Sequence, residues 1–473
     1  MGGWLAQGCA GFGSYEYGYI TDNIVSARVV LPSGEVQVFT GEDMDLIAEM
    51  EGITGLISEV TMHIQPLDDL EVISLGSKDA SVVQAFTEAI IRDDIPIWSI
   101  SFINPGMAAL RNKLPLREHF GLPSEEQLIL PESFITTVAF RKKDTEQVVP
   151  ALQNYAQSMG IEILPDHIAQ HEWGDRFKIM KIKRLGPSLV PTEFIVPLAQ
   201  LGNTMGAVEH SVHHPMVKEG LVIRSGAGGS PEVVILGFIP ADERTFGYTL
   251  KFSSVLSTIK IAEKHGGRAY TTGMYFPHKA QTLLGKKRLG KIKAFKREID
   301  PKGLLNPGKV FQNNVVGMFI ATASNFEPVG RLFSNLVKTK VSERITRKRK
   351  DIPADVAWYA YSCSQCGYCI DSCDQFSGRG WESQSPRGKW YWLLEYLEGR
   401  CEWNQKMVDS FLACTTCEMC NLRCCAALPI ESSWMKLRSV LVTDKKKMTI
   451  PPFEMMAAAL SSQGNIWAGY RKN

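Results

Sequence analysis

The chain has 473 residues, enough for about three domains at roughly 150 residues each. Its hydrophobic content of 44% suits a globular protein with real cores, and its net charge of +2 gives no global attraction to nucleic acid or to a membrane surface. No basic start followed by an apolar run marks a signal peptide, and no apolar run approaches the ~18 residues of a membrane span. The sequence therefore predicts a cytoplasmic protein without a membrane span, so that any membrane association would go through a partner.

Residues 1–66 combine glycines with strand patterns. The glycine-dense stretch "GGWLAQGCAGFGSYEYGYITDN" precedes "IVSARVVLPSGEVQVF", in which two alternating apolar runs surround a Pro-Ser-Gly turn and predict a hairpin. "EGITGLISEVTMHIQP" then predicts a further strand. Glycines let a backbone approach a bulky ligand closely, and their N–H groups can surround an anion such as pyrophosphate, although ordinary turns also use glycines.

Residues 67–311 alternate helical and strand patterns. "DASVVQAFTEAIIRDD" and "DTEQVVPALQNYAQSMG" have apolar residues at helical spacing, whereas "IWSISFIN" and "PEVVILGFIP" predict strands. A basic stretch, "KIKRLGPSLVPTEFIVPL", precedes another strand, and "REIDPKGLLNPGKVF" ends the region. Prolines and glycines fix the turns of that last segment, so Asn306 should be held on a rigid backbone. The patterns predict an α+β domain.

Residues 312–355 are predicted to be a linker with a basic run. Its cations would be solvated or, alternatively, form a docking strip for an acidic partner. They are Lys338, Lys340, Arg344, Arg347, Lys348, Arg349 and Lys350.

Two cysteine runs in residues 356–446 repeat one pattern, C-x2-C-x2-C-x3-C. This is the spacing with which bacterial-type ferredoxins hold two 4Fe-4S clusters, the fourth cysteine of each run ligating the other cluster. A zinc site made of four cysteines needs only two C-x2-C pairs, and disulfides are less regularly spaced and occur mainly in small secreted domains. The predicted ligands are Cys363, Cys366, Cys369, Cys373, Cys414, Cys417, Cys420 and Cys424.

Two further sequence features lie next to the cysteine runs. Asp374 and Cys425 stand where ferredoxin runs usually have proline, so Cys425 is either a buried thiol or an alternative ligand. Pro386 and Gly388 open a helical stretch between the runs, which predicts an all-α domain followed by a tail at 447–473. Thiolate clusters indicate a reducing interior.

The order of the glycine-rich pieces and of the Asn-Pro-Gly segment resembles FAD-linked oxidases of the vanillyl-alcohol-oxidase type, including glycolate and D-lactate dehydrogenases, over about residues 1–311. The resemblance implies an α+β fold: the second half of an FAD-binding domain at 1–66, without its N-terminal half, and an α+β cap domain at 67–311 that covers the flavin and binds substrate. The residues that it places along FAD are Gly2, Gly3, Gly13, Ser14, Tyr17, Gly18, Asp22, Asn23, Gly52, Gly55, Ile57 and Asn306.

The same resemblance suggests catalytic residues. It places the cations for a substrate carboxylate near Arg184 and Lys183, and an Arg fork matches a carboxylate in two hydrogen bonds. A base must take the hydroxyl proton as hydride leaves, and His265 and His278 flank "GGRAYTTGMYFP". The family's His-rich metal motif is absent, and the histidines of "EHSVHHP" are a possible metal cluster or ordinary loop residues.

The cysteine domain resembles the helical two-cluster domain of glycolate oxidase iron-sulfur subunits and heterodisulfide-reductase subunits, which share "SPRGK". Together the resemblances imply a subunit of an FAD- and 4Fe-4S-dependent dehydrogenase of a 2-hydroxy acid such as D-lactate or glycolate. Partner subunits would supply the missing FAD half and a downstream electron acceptor such as a CCG-type module. The alternative is an electron-relay subunit of a heterodisulfide-reductase-like complex, with a non-catalytic flavin-type domain.

Overall fold

The N-terminal segment folds into two short helices and a small antiparallel sheet. The computed structural model describes residues 1–116, 118–119, 122–123, 128–214, 216–336, 348–444 and 451–466. The segment consists of α1 (Gly2–Gln7), α2 (Ser14–Tyr17), β1 (Ile24–Val30), β2 (Val36–Thr40) and β3 (Leu56–Met62). The strand order is β2-β1-β3, which confirms the predicted hairpin. Ala27 and Val29 of β1 are buried against Leu5 and Phe39, so one face of the sheet is a core.

The next region is built on a second, eight-stranded sheet. Its strands are β4 (Leu70–Ser77), β5 (Ser99–Ile103), β8 (Phe134–Arg141), β9 (Glu162–Ile163), β10 (Ser188–Pro197), β11 (Val217–Ile223), β12 (Glu232–Ala241) and β13 (Arg268–Ala269), while β6 (Glu118–His119) and β7 (Leu122–Pro123) form a separate hairpin. The order is β13-β10-β12-β11-β5-β8-β4-β9, with antiparallel neighbours throughout. The strands predicted from apolar runs are all present.

Helices flank this sheet. They are α3 (Ala80–Arg92), α4 (Pro105–Arg111), α5 (Thr145–Met159), α6 (Asp166–Gly174), α7 (Leu201–Ser211) and α8 (Phe246–Lys264), while α9 (Ala280–Leu284) and α10 (Lys286–Ile299) pack toward the N-terminal segment. Asp79 caps α3 by accepting hydrogen bonds from the backbone N–H groups of Ser81 and Val82. Gly160 ends α5 with a φ of 65°, as its place after the helical pattern predicts. The α+β expectation is confirmed.

The segment predicted to be a linker begins with two packed helices, α11 (Val315–Asn325) and α12 (Glu327–Leu336). Ser334 of α12 forms a hydrogen bond of 2.9 Å with Ser254 of α8. Gly330 of α12 lies against Ser253 of α8, and its lack of a side chain lets these two helices approach closely. Small residues make this contact, whereas the apolar residues Val329, Leu332, Phe333 and Leu336 of α12 are exposed. Of the basic run, only residues 348–350 lie within the described residues. No helix in the described ranges is long and apolar enough to cross a membrane.

The C-terminal domain consists of helices and loops in its described part. The helices are α13 (Ala354–Ser362), α14 (Asp374–Arg379), α15 (Pro386–Leu397), α16 (Gln405–Leu412), α17 (Met419–Arg423) and α18 (Ile430–Ser439), and α19 (Pro451–Gln463) follows. Trp390 and Trp434 form the centre of its core, with ring centroids 4.2 Å apart, and Phe411 packs on Trp434. This confirms the predicted helical domain.

A 3-10 turn, Ile179–Arg184, joins the two larger domains. Trp358 Nε1 of α13 donates a hydrogen bond to the Arg184 carbonyl at 3.1 Å, and Ser362 Oγ donates to the Lys183 carbonyl at 3.0 Å. The cysteine loops, which follow α13 directly, are therefore held next to the cap sheet.

Candidate functional site

The two cysteine runs share a backbone conformation as well as a spacing. In the first run Gln365 and Gly367 have φ values of 53° and 88°, and at the same positions of the second run Thr416 and Glu418 have 55° and 60°. Residues in the left-handed conformation change the direction of the chain between successive cysteines, so that the thiols turn toward one centre. Because non-glycine residues pay roughly 1–2 kcal/mol each for this conformation, the repeat indicates a functional constraint on both loops.

The first set of thiols consists of Cys363, Cys366 and Cys369 with Cys424 from the second run. Burial, followed by negative charge on Cys363, Cys424 and Cys366, raises the pKa of the Cys369 thiol to about 12. Burial likewise raises the pKa of Cys363 to about 12, with Cys424 and Cys366 again among its neighbours. These four thiols are therefore close enough to interact electrostatically.

The second set consists of Cys414, Cys417 and Cys420 with Cys373 from the first run. All four line one pocket. Burial raises the pKa of the Cys420 thiol, and its charged neighbours are Cys414, Cys369, Cys417 and Cys373. The structure thus brings the eight cysteines together in two crossed sets, each with three thiols from one run and the fourth from the other.

The geometry of these sets suits clusters better than single ions. Within the described part of the chain, no group of three or more His, Cys, Asp or Glu side chains is placed to hold one metal ion. A zinc site made of cysteines needs only four of them, whereas the two sets together contain eight. The eleven cysteines are free thiols. Sets of four thiols, three from one run and one from the other, fit 4Fe-4S clusters.

Cys425 is a ninth thiol at the first set. Its Sγ lies 3.5 Å from Cys366 Sγ, and the side chain is partly exposed. The residue is therefore placed at the cluster site, as the alternative-ligand hypothesis requires.

A cavity of about 640 Å3 lies between the N-terminal segment and the cap sheet. Its size is within the usual range for cofactor pockets. Tyr17, Gly18 and Asp22, three of the residues predicted to contact flavin, line it. Gly18 has a φ of 72°, and a Cβ there would collide with the Asp22 carboxylate, so this wall of the cavity requires glycine. The glycine wall and the volume fit a flavin ring.

Other predicted flavin residues support this cavity from behind. Asn23 Nδ2 donates to the carbonyls of Tyr17 and Tyr19 at 2.7 and 2.9 Å. Asn306 Nδ2 donates to the carbonyl of Glu51, whose side chain lines the cavity. These two amides position the cavity wall.

The remaining predicted flavin residues pack on protein rather than on the cavity. A Cβ on Gly2 would meet Ile57, and one on Gly55 would meet Val29. Gly13 faces Trp98, Ser14 Oγ accepts a hydrogen bond from Gly11 N at 2.9 Å, and Gly52 lies near Asn306. Nothing lies within 4 Å of a Cβ built on Gly3. Contact of these residues with FAD stays a prediction.

None of the four predicted catalytic side chains lines the cavity. Arg184 is 5% exposed and donates to the Pro115 carbonyl, while Lys183 Nζ donates to Ser364 Oγ of the first cysteine loop at 3.2 Å. His278 is exposed with its ring 6.1 Å from that of Phe276, and His265 ends α8. Their catalytic roles stay predictions, and Lys183 is placed at the iron–sulfur side instead.

The sequence analysis missed an ionic network on the cavity wall. Arg268 donates to both Glu232 carboxylate oxygens at 2.9 and 3.0 Å, and Tyr19 Oη donates to the same carboxylate at 2.5 Å. Arg268 and Tyr19 line the cavity together with Tyr270. In the sequence Arg268 and Tyr270 could have been found as the arginine and tyrosine of "GGRAYTTGMYFP", which lies between His265 and His278.

An aromatic contact joins the glycine-rich segment to a residue beside the first cysteine set. Phe12, from the glycine-rich segment, has its ring centroid 5.5 Å from that of Phe177 and 6.1 Å from that of Trp173. Phe177 lines a groove together with Cys366 and Cys424. The glycine-rich segment and the cysteine loops thus meet on one side of the cap domain.

Comparisons with known proteins agree with both parts of the chain. Residues 1–40 match the FAD binding domain family and residues 362–429 the 4Fe-4S dicluster domain family. Mitochondrial D-lactate dehydrogenase (cytochrome) of Arabidopsis thaliana is 23% identical over 350 residues, which cover 67% of this chain and 57% of that protein. The glycolate oxidase iron-sulfur subunit of Escherichia coli (strain K12) is 30% identical over 88 residues, covering 19% of this chain and 21% of that one.

Among solved structures, alkyldihydroxyacetonephosphate synthase aligns with a TM-score of 0.44 and 17% identity, covering 65% of this chain and 57% of the other. The chain spans just over half the length of the D-lactate dehydrogenase relative. The family matches confirm the predicted cofactors. The chain matches the FAD binding domain and 4Fe-4S dicluster domain families, and it is related to FAD-linked oxidoreductases and to an iron-sulfur subunit.

Proposed function

We propose that this protein is the flavin and iron–sulfur part of a dehydrogenase that oxidises a 2-hydroxy acid of the D-lactate or glycolate type and passes the electrons to a partner subunit. The observation that carries the proposal is the contact of Phe12 with Phe177, which places the flavin segment beside the groove of Cys366 and Cys424. FAD accepts electron pairs as hydride, and 4Fe-4S clusters transfer electrons singly.

The residues of this chain divide the work between two sites. Tyr17, Gly18 and Asp22 would contact the flavin, while the two crossed cysteine sets would each hold one cluster. The burial of Cys369 and Cys420 excludes water from the inner corners of both cysteine sites. Eleven free thiols support a reducing compartment, and we place the protein in the cytoplasm.

The cavity also has the chemistry to receive an acid. Arg268 and Arg288 line it, and each is oriented by a carboxylate, Glu232 and Glu49 respectively. To hold a substrate carboxylate by charge and paired hydrogen bonds, either guanidinium group would exchange its protein carboxylate for that of the substrate, in a cavity that Glu16, Asp22 and Glu51 also line. A small hydroxy acid is therefore a suitable substrate class.

Exposed apolar surface supports partner subunits. On the outer face of the small sheet, Val36, Val38 and Leu56 are 54%, 56% and 67% exposed. Val36 and Leu56 lie on either side of Val30 in the sheet, and Val38 follows two residues after Val36 on the same face, so their side chains form one continuous patch. A further part of an FAD domain would cover this patch. Cys417 of the second set is exposed, so an electron acceptor can approach that cluster closely.

The test is an anaerobic reduction of the protein purified with its partner subunits. Its FAD and iron contents are measured, and D-lactate, L-lactate and glycolate are then added separately. We expect bleaching of the flavin by a D-2-hydroxy acid or glycolate, followed by bleaching of the cluster absorbance, with L-lactate as the matched control. An assembly with no flavin and no substrate-dependent reduction would refute the proposal.

A second candidate is the electron-relay subunit. It is favoured by the position of Arg184, Lys183, His265 and His278, none of which lines the cavity. In that case the same assembly would contain iron and sulfide but no flavin, and its clusters would be reduced by a partner protein and not by hydroxy acids.

A further inference from the structure

A lysine lies beside each cysteine set, fully buried at one set and partly buried at the other. Lys389, on the first turns of α15, is 1% exposed and lines the pocket of the second set together with Cys373 and Cys414. Glu431 lines the same pocket, and negative charge on Cys414, Cys373 and Cys420 acts on the Lys389 ammonium group. A buried ammonium group is stabilised by negative charge beside it.

The local sequence fixes this lysine. Ser385 caps α15 by accepting a hydrogen bond from Gly388 N at 3.2 Å, and Pro386 occupies the first helical position. A Cβ on Gly388 would collide with the Glu382 carbonyl, so the helix start lies directly against the preceding turn. Lys389 is therefore held on a rigid backbone, which points its side chain into the protein.

Lys183 has the same relation to the first set, but it comes from the cap domain. Its Nζ donates to Ser364 Oγ, between Cys363 and Cys366, and its own carbonyl accepts a hydrogen bond from Ser362 at 3.0 Å. Burial lowers the pKa of Lys183, and nearby negative charge, above all on Cys363, opposes part of this effect. The side chain bridges the two domains at the edge of the cluster site.

Reduction of a 4Fe-4S cluster adds one negative charge to a site that already holds four thiolates. A positive charge in a low-dielectric interior stabilises the reduced form more than the oxidised form, and the potential of a cluster depends on such charges and on solvent access. We propose that Lys389 raises the reduction potential of the second cluster and that Lys183 raises that of the first. This inference rests on the proposed cluster sites.

The experiment is an EPR-monitored redox titration of the full chain with reconstituted clusters, in the wild type and in Lys389→Met and Lys183→Met. The expected result is at least a tenfold shift of the one-electron reduction equilibrium toward the oxidised form, equal to 59 mV, at the cluster beside the substituted lysine only. Cys373→Ser and Cys424→Ser assign each EPR signal to its cluster.

Charge-preserving and remote variants complete the design. Lys389→Arg and Lys183→Arg should stay close to the wild-type potentials, as should Lys348→Met at an exposed position. If a Met variant loses iron, the matching Gln variant, which keeps polarity and length, is titrated instead and should show the same shift. Unchanged potentials, or equal shifts of both clusters in each variant, would overturn the inference. Absence of clusters from the reconstituted wild type would instead contradict the proposed function.

Discussion

A buried ion pair organises the segment that supports the flavin cavity. Lys296 Nζ lies 2.5 Å from Asp300 Oδ2, and the two side chains are 6% and 1% exposed. Lys296 also donates to the carbonyls of Ile53 and Leu305 at 2.7 and 3.1 Å. Asp300 accepts hydrogen bonds from Leu304 N and Leu305 N at 2.9 and 2.8 Å. The pair thus joins α10 to the chain on either side of the cavity wall.

Replacing Asp300 by Asn should leave Lys296 as an uncompensated buried charge. Loss of one partner of a buried pair costs about 3–5 kcal/mol. At about 1.4 kcal/mol per factor of ten, the lower figure corresponds to roughly a hundredfold higher population of the locally open state. Hydrogen exchange of the amides of Leu304 and Leu305, followed by mass spectrometry, measures that population directly.

The stabilisation of the fold by this ion pair should decrease in strong acid. Burial alone would raise the pKa of Asp300, but the hydrogen bonds from Lys296, Leu305 and Leu304 lower it to about 2. A carboxyl pKa below the unfolded value of about 3.9 stabilises the fold above that value, and the stabilisation is lost as the pH falls through 2. The effect of Asp300→Asn should therefore be constant from about pH 5 to 8.

Two further variants complete the test. Glu298→Gln, at an exposed position on α10, should leave the exchange rates unchanged. In the double variant Lys296→Met/Asp300→Asn, the loss should be clearly smaller than the sum of the two single losses, because neither charge remains. Exchange in Asp300→Asn as slow as in Glu298→Gln would refute the assigned role of the pair.

Three shorter predictions concern the cofactor sites. Cys373→Ser should abolish the second cluster and leave the first intact, whereas Cys424→Ser should abolish the first and leave the second intact. Iron analysis and EPR measure both effects, and equal loss of the two clusters in either variant would contradict the crossed sets. Gly18→Ala should lower the flavin content of the purified assembly, because a Cβ collides with Asp22 at a φ of 72°; an unchanged flavin-to-protein ratio would argue against the cavity. Ser385→Ala should destabilise the cluster domain by about 1 kcal/mol through loss of the α15 cap, measured by urea unfolding, and an unchanged midpoint would count against the cap.

Local patterns predicted the elements well, since periodicity and turn residues act within a few positions. The hairpin at Gly34, the helix capped by Asp79 and the eight cysteine positions all come from short-range signals. The order of the eight-stranded sheet could not be derived, because strands distant in sequence pair there. The helix α1 was also missed: Gly2 and Gly3 have low helix propensity, and packing of Gly2 on Ile57 outweighs it.

The candidate site was predictable where chemistry required a fixed spacing and unpredictable where it depended on the domain contact. The cysteine spacing carries its own geometry, so the crossed sets follow from it. Lys389 lay within a recognised motif, but nothing in one sequence distinguishes a buried lysine from a solvated one. Burial of Lys389 requires the aromatic core of Trp390 and Trp434, which only the folded helices create.

The turn at residues 179–184 shows why its side chains were assigned to substrate. Its cations precede a strand at the place where the resembled family holds an acid, and their side-chain chemistry suits that role. In the folded chain, Trp358 and Ser362 bind the carbonyl groups of Arg184 and Lys183, so the backbone of this turn is the docking point of the cluster domain. A turn held in this way orients Lys183 toward Ser364 and away from the cavity. The same docking sets the position of the first cysteine loop relative to Phe177, so the proposed electron route from FAD to the first cysteine set depends on a contact that no sequence motif records.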